Sequence, residues 1–114
     1  MNDGIVLTKI DSRGIAEVTL NRPERNNAYN GEMISELIKS FTSLYDNNDV
    51  RMVLIRGLGK HFQGGADLEW LKEIGKLSEQ QNIEVSRKTA SAIKGLIEFP
   101  KPTIAMIHGG CFGG

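Results

Sequence analysis

The sequence predicts an α/β fold, and three observations carry that prediction. Short runs rich in β-branched residues recur along the chain, apolar stripes at helical spacing stand between them, and two glycine clusters each follow a strand-like run. Strands covered by intervening helices produce this alternation.

The elements follow in order. Ile5 to Ile10 and Gly14 to Leu20 are strand-like runs separated by Asp11-Ser12-Arg13-Gly14, which is turn chemistry, so a β-hairpin is expected. Asn21-Arg22-Pro23 closes the second run, because proline lacks the N–H that a ladder needs. After a polar loop to about Asn30, the apolar positions Met33, Ile34, Leu37, Ile38, Phe41, Leu44 and Tyr45 form one stripe of a 3.6-residue period. Asn30 is the expected N-cap of that helix. Asn47-Asn48-Asp49 breaks it, and Met52 to Ile55 is a continuous apolar run, which predicts a strand buried on both faces.

Positions 57–65 hold four glycines in nine residues, a loop free to adopt backbone conformations that side chains forbid. Asp67 is placed to cap a short helix through Leu71. Ser78-Glu79-Gln80-Gln81 fits a capping box and opens a longer helix, expected to turn Ile83, Ala90, Ile93, Leu96 and Ile97 inward. Phe99-Pro100-Lys101-Pro102 ends it. Thr103 to Ile107 reads as another strand, running into His108-Gly109-Gly110-Cys111-Phe112-Gly113-Gly114. Such a turn normally leads into a helix that covers the sheet, so residues 1–114 read as one domain that stops short of that helix.

Composition narrows the class of protein. Fourteen basic and fourteen acidic residues balance to zero, which counts against a dedicated nucleic-acid binder. No apolar run approaches the roughly 20 residues a membrane span requires. The opening Met1-Asn2-Asp3-Gly4 lacks the basic and apolar blocks of a secretory signal, and the one cysteine, Cys111, has no internal disulfide partner, so a cytoplasmic, reducing location is expected.

The chemistry to look for is in the two glycine loops. A glycine-rich turn between a strand and a helix start exposes backbone N–H groups, and donors fixed in the backbone stabilise a developing oxyanion without reorganising. A tight turn with no such role is the ordinary alternative for either loop.

The company these loops keep is more specific. Leu20-Asn21-Arg22-Pro23-Glu24-Arg25-Asn26-Asn27-Ala28-Tyr29-Asn30, then Phe62-Gln63-Gly64-Gly65-Ala66-Asp67-Leu68, then Pro100-Lys101-Pro102-Thr103-Ile104-Ala105 through Gly109 and Gly113-Gly114, resemble in order and spacing the enoyl-CoA hydratase/isomerase (crotonase) superfamily. The resemblance covers essentially the whole chain. It implies the N-terminal part of a crotonase (ClpP-like) spiral of ββα units. It also implies an acyl-CoA thioester as substrate, with coenzyme A as part of that substrate and no separate cofactor or metal. By the same resemblance, Ala66 and Gly114 supply the two backbone N–H groups of an oxyanion hole. Arg25, Asn26 and Ala28 line the coenzyme A channel, and Gly64, Asp67 and Leu68 surround the thioester.

The stretches Ala66 to Lys72, Glu98 to Thr103 and Cys111 to Gly114 look similar to hydratases of the methylglutaconyl-CoA type, so hydration of an enoyl-CoA is the expected reaction. Isomerase and thioester hydrolase chemistry share the same hole, and a binding or assembly role without catalysis is the other class of reading. Some hydratases of that type are associated with RNA, against which the zero net charge counts. The resemblance implies a homotrimer or a dimer of trimers for the full-length protein, and it places the catalytic carboxylates beyond Gly114. Gln63-Gly64 departs from the family's more usual small pair.

Individual residues have blander readings. Asp67 is expected as a helix cap rather than a general base, Glu69 as a solvated charge, His61 as facing water, and His108 as a structural histidine at the end of a buried strand. His108 and Cys111 have metal-ligand spacing but no second pair, and no dinucleotide or Walker-type glycine fingerprint is present. Trp70, with Leu71 and Ile74, is expected in the core or at a subunit contact.

Overall fold

A hairpin followed by two crossovers builds one four-stranded sheet. The computed structural model describes residues 4–114; Met1, Asn2 and Asp3, which bear on the secretory-signal reading, lie outside the described residues. Strand β1 (Val6–Ile10) pairs antiparallel with β2 (Ile15–Leu20), with Thr8 opposite Val18. Asp11 makes the turn, its Oδ1 accepting from the Arg13 and Ile15 N–H groups at 2.8 and 3.1 Å. Gly14 adopts φ +83°, where any β-carbon would also meet the Asp49 carbonyl at 2.6 Å.

Helix α1 (Gly31–Tyr45) then carries the chain back, so that β3 (Met52–Gly57) lies parallel to β2 with Val18 opposite Ile55. Two parallel neighbours cannot be joined by a tight turn, and α1 is the crossover. Helices α2 (Leu68–Gly75) and α3 (Glu79–Ile97) form the second crossover, to β4 (Thr103–Ala105), and the sheet order is β1-β2-β3-β4. Asn30 caps α1 as expected, accepting from the Met33 N–H at 3.0 Å, and Ser78 with Gln81 closes the expected capping box on α3.

The core lies between one face of the sheet and α1 with α3. Ala16 and Val18 of β2, Val53 and Ile55 of β3, and Phe41 and Leu44 of α1 are its buried centre, with Phe62 and Phe99 joining from loops. No helix among the described residues is long and apolar enough to cross a membrane.

Three expectations are corrected. Strand β3 is not buried on both faces: Val53, Ile55 and Gly57 are buried, Met52 and Leu54 half-buried, and Arg56 exposed. On the far face, Glu17 of β2 accepts from the Arg56 guanidinium at 2.8 Å and pairs with Lys9 at 3.5 Å, so charge sits where apolar cover was expected.

Helix α3 presents a different face from the one its isoleucines mark. Val85, Thr89, Ala92 and Leu96 turn inward, whereas Ile83, Ala90, Ile93 and Ile97 are exposed, Ile97 at 76%. Val85, Thr89, Ala92 and Leu96 are themselves spaced by four, three and four residues, so they form a second stripe of helical period beside the isoleucine stripe. It is this stripe that faces the rest of the fold, with Gly95 beside the Phe41 ring.

Strand β4 is shorter than Thr103–Ile107 and exposed throughout. The Met106 N–H still reaches the Ile55 carbonyl at 2.8 Å, but Ile107 and His108 bend away to enter the second glycine cluster.

Candidate functional site

The loop after β2 and the loop after β3 are built around one amide side chain. Asn27 is fully buried at φ +59°, and its Nδ2 donates to the carbonyls of Leu58 and His61, each at 2.9 Å. Its Oδ1 accepts from the Arg22 N–H at 2.8 Å. Gly57 provides the room, since a β-carbon there would lie 2.7 Å from Nδ2. One side chain thereby fixes the polar loop before α1 against the first glycine loop.

Tyr29 continues the attachment through backbone. Its N–H donates to the Gly65 carbonyl at 2.9 Å and its carbonyl accepts from the Asp67 N–H at 2.9 Å, a parallel bridge with Ala66 between the two bonded neighbours. In that pattern the middle residue turns its own N–H and C=O away from the partner strand. Among the described residues, the Ala66 N–H has no hydrogen-bond acceptor within the chain. Beside it, the Gly65 N–H is occupied by Gln63 Oε1 at 2.7 Å. The departure at Gln63 therefore has a local use: its side chain holds the turn that presents Ala66.

Asp67 anchors the other flank. Its Oδ1 accepts from the Glu69 and Trp70 N–H groups at 2.8 and 3.1 Å, and its Oδ2 meets Arg22 Nη1 at 2.7 Å. The same Arg22 nitrogen donates to the Ala28 carbonyl at 2.8 Å, so guanidinium, carboxylate and both loops form one buried cluster. The Trp70 N–H first, and then the Arg22 guanidinium, hold the Asp67 carboxyl below its ordinary range, against the opposing effect of burial. Asp67 is a cap, as expected, and has a counter-charge that the sequence reading did not assign.

The second glycine loop lies against the first. Gln63 bridges to Cys111: the Phe112 N–H donates to the Gln63 carbonyl at 2.9 Å, and the Gln63 N–H to Gly110 at 3.3 Å. Gly65 and Gly113 are in contact, the β-carbon position of Gly113 falling 3.3 Å from Gly65 Cα. Gly114 packs on the Tyr29 ring, where a β-carbon would lie 2.9 Å from the hydroxyl. Gly114 and Tyr29 also border an apolar cavity of about 170 Å³ walled by Ile34, Leu37, Phe62 and Leu96.

The expected site residues thus come together. Ala66 and Gly114 both adjoin Tyr29, and Gly64 backs onto Asn26, whose carbonyl would lie 2.9 Å from any β-carbon at 64. Ala28 is bonded through Arg22 to Asp67, and Leu68 opens α2 with its side chain 75% exposed. Arg25 is exposed and lies 3.6 Å from Glu69, which is a solvated charge as expected, with Arg25 as a surface neighbour. Trp70 is half-buried, edge-on to Tyr29 at 5.9 Å.

One histidine departs from its expected role, and the other keeps its role in a different setting. His61 is half-buried rather than simply facing water: its Nδ1 accepts from the Gly110 N–H at 2.7 Å. His108 is structural through its 2.8 Å bond with the Gly59 carbonyl, yet it follows an exposed strand rather than a buried one. Among the described residues no three His, Cys, Asp or Glu side chains gather at metal-ligand spacing. Cys111 is a free, exposed thiol.

Comparisons with known proteins agree with this arrangement of strands and loops. Residues 11–114 match the family model described as enoyl-CoA hydratase/isomerase. The chain belongs to the enoyl-CoA hydratase/isomerase family. A solved enoyl-CoA hydratase from Shewanella pealeana superposes with a TM-score of 0.92 at 32% identity, covering 96% of this chain and 41% of that one. An enoyl-CoA hydratase/isomerase from Xanthobacter autotrophicus superposes at 0.87 with 32% identity, over 95% of this chain and 40% of that one. The peroxisomal Delta(3,5)-Delta(2,4)-dienoyl-CoA isomerase of Arabidopsis thaliana is 34% identical over 119 residues, 96% of this chain and 42% of that protein. The fold is therefore that of the crotonases, and the chain spans about two-fifths of the length of these relatives.

Proposed function

We propose that this segment supplies the carbonyl-polarising part of an acyl-CoA hydratase/isomerase site. The observation that carries the reading is the Ala66 N–H, turned away from the Tyr29 bridge and unbonded, beside the contact between Gly65 and Gly113. A thioester oxygen between this group and the Gly114 N–H would meet donors already oriented, and enolate-like charge would be stabilised without rearrangement. The apolar cavity beside Gly114 suits the hydrocarbon part of an acyl group. Arg25 and Asn26 would border coenzyme A.

No carboxylate of this segment is assigned the acid/base role. Asp67 is committed to two N–H groups and Arg22, and Glu69 is exposed beside Arg25. The order of preference for the whole protein is enoyl-CoA hydration first, with a methylglutaconyl-type branched thioester as the finer proposal. That finer proposal rests on the stretches Ala66 to Lys72, Glu98 to Thr103 and Cys111 to Gly114. Isomerisation is the second reading, supported by the relative named as a dienoyl-CoA isomerase. A homo-oligomer and a reducing compartment complete the proposal.

The test is a titration with acetoacetyl-CoA and with crotonyl-CoA carrying a carbon-13 thioester carbonyl. Saturable binding with a carbonyl stretch lowered relative to free ligand is the expected result. A saturated complex with an unshifted stretch overturns the polarising role, and no binding at all supports a purely structural or assembly role for the segment.

A further inference from the structure

The second glycine loop is held almost wholly by backbone. The Phe62 N–H is shared between the His108 and Gly110 carbonyls at 3.0 and 3.1 Å, and the Gln63 bonds to Gly110 and Phe112 complete the set. Any sequence could make those bonds. Among the described residues, the one side chain outside the loop that bonds to it is His61, whose Nδ1 accepts from Gly110 at 2.7 Å, while Phe112 packs edge-on to the imidazole at 6.2 Å. A β-carbon on Gly110 would strike the Phe112 ring first and would also fall 2.9 Å from His61 Nδ1, so both neighbours crowd this position. Gly109, at φ +59°, turns the chain into position and would press on the Lys60 carbonyl if it carried a side chain.

We propose that His61 is a positioning residue for the second carbonyl donor, its unprotonated Nδ1 fixing Gly110 and through it the course of residues 111–114. The inference rests on the reading of Ala66 and Gly114 as donors. A neutral imidazole has one acceptor nitrogen and one N–H, so accepting at Nδ1 requires the proton on Nε2. Without that acceptor, the Gly110 N–H is unpaired in a half-buried crevice, and the exposed Cys111–Gly114 segment that follows loses the side-chain hydrogen bond that fixes its start. The first donor is unaffected by this change, because Ala66 is held by Tyr29, Gln63 and Asp67.

Two variants separate the acceptor from the bulk of the ring. In His61→Asn the amide Oδ1 stands where Nδ1 was and still accepts; in His61→Leu the volume is roughly kept and the acceptor is gone. Amide exchange in the ligand-free protein is the first measurement. Gly110 should be protected in the wild type and in His61→Asn, and should exchange about tenfold faster or more in His61→Leu, with Asp67 unchanged as the internal control for folding. An unprotected Gly110 in the wild type, or equal protection in all three, overturns the proposal.

The second measurement is the carbonyl stretch of bound carbon-13 crotonyl-CoA. Wild type and His61→Asn should show the same lowering, and His61→Leu roughly half of it while still saturating. A full shift in His61→Leu, or a loss equal in both variants, overturns the positioning role. If the wild type itself shows no shift while Gly110 follows the expected exchange pattern, the donor reading fails and His61 remains only a loop anchor, which also overturns the proposal as stated.

Discussion

The two glycine loops differ in how each is held. Residues 57–67 are locked by side chains: the fully buried Asn27 holds the Leu58 and His61 carbonyls, Arg22 pairs with Asp67, and Gln63 holds the Gly65 N–H. Residues 110–114 are mostly exposed and rest on the first loop through backbone bonds and one imidazole. Position in the second loop is therefore inherited from the first. Damage to the first loop should spread to the second, and damage to the second should stay local.

The largest expected break is Arg22→Ala. It leaves the Asp67 carboxylate buried without its counter-charge and should cost about 3–5 kcal/mol in urea unfolding, with exchange rising at both loops. Asn27→Ala follows, since three backbone groups lose their partner at once; about 2–3 kcal/mol is expected, with faster exchange of the Arg22 N–H. If either variant loosens 110–114 and leaves 63–67 protected, the inheritance runs the other way.

Gly65→Ala is gentler. It forces an alanine into φ +86° and presses 3.3 Å on the Phe112 carbonyl, for about 1–2 kcal/mol and a disturbance at the contact between the loops. A calorimetric melting point lowered by a few degrees is the check.

The mildest probe is acid. Asp67 has its folded pKa below the ordinary value of 3.8, so its stabilising share is complete above that value and disappears as pH falls through the folded one. Asp11 and Glu17 are lowered as well and act with the same sign, Asp11 chiefly through Arg13 and Glu17 through Arg56. Asp67→Asn keeps a cap oxygen but removes the charge and the oxygen that accepts from Arg22. The melting-point gap between wild type and Asp67→Asn should therefore narrow as pH drops from 6 toward about 3. A gap that widens contradicts the assignment.

Much of this was legible in the sequence because it is local. The Asp11 turn, the Asn30 cap and the Ser78–Gln81 box depend on residues a few positions apart, and each appeared where its chemistry pointed. The glycine loops were legible as motifs, and the structure brings Ala66, Gly114, Gly64 and Asn26 into one neighbourhood. What was missed depends on long-range contact. Nothing in the run Asn26-Asn27 marks the second asparagine as the one that reaches 34 residues ahead to the His61 carbonyl. The face of α3 was misread because two stripes of helical period lie side by side on it, and the sequence does not say which of them, the isoleucines or Val85, Thr89, Ala92 and Leu96, meets the rest of the fold. Strand β3 was misread because its apolar letters say nothing of Glu17 on the neighbouring strand, which occupies the far face with Arg56.

The parallel bridge at Tyr29 has a practical corollary. Because Ala66 is the unbonded middle of that bridge, whatever its amide does is done by a hydrogen that all but one of the twenty amino acids would also carry. Scanning mutagenesis would pass over residue 66 as an inert alanine, and side-chain-directed reagents would find nothing to modify. Only an edit to the main chain itself, such as exchanging that one amide for an ester by chemical ligation, would make the position speak.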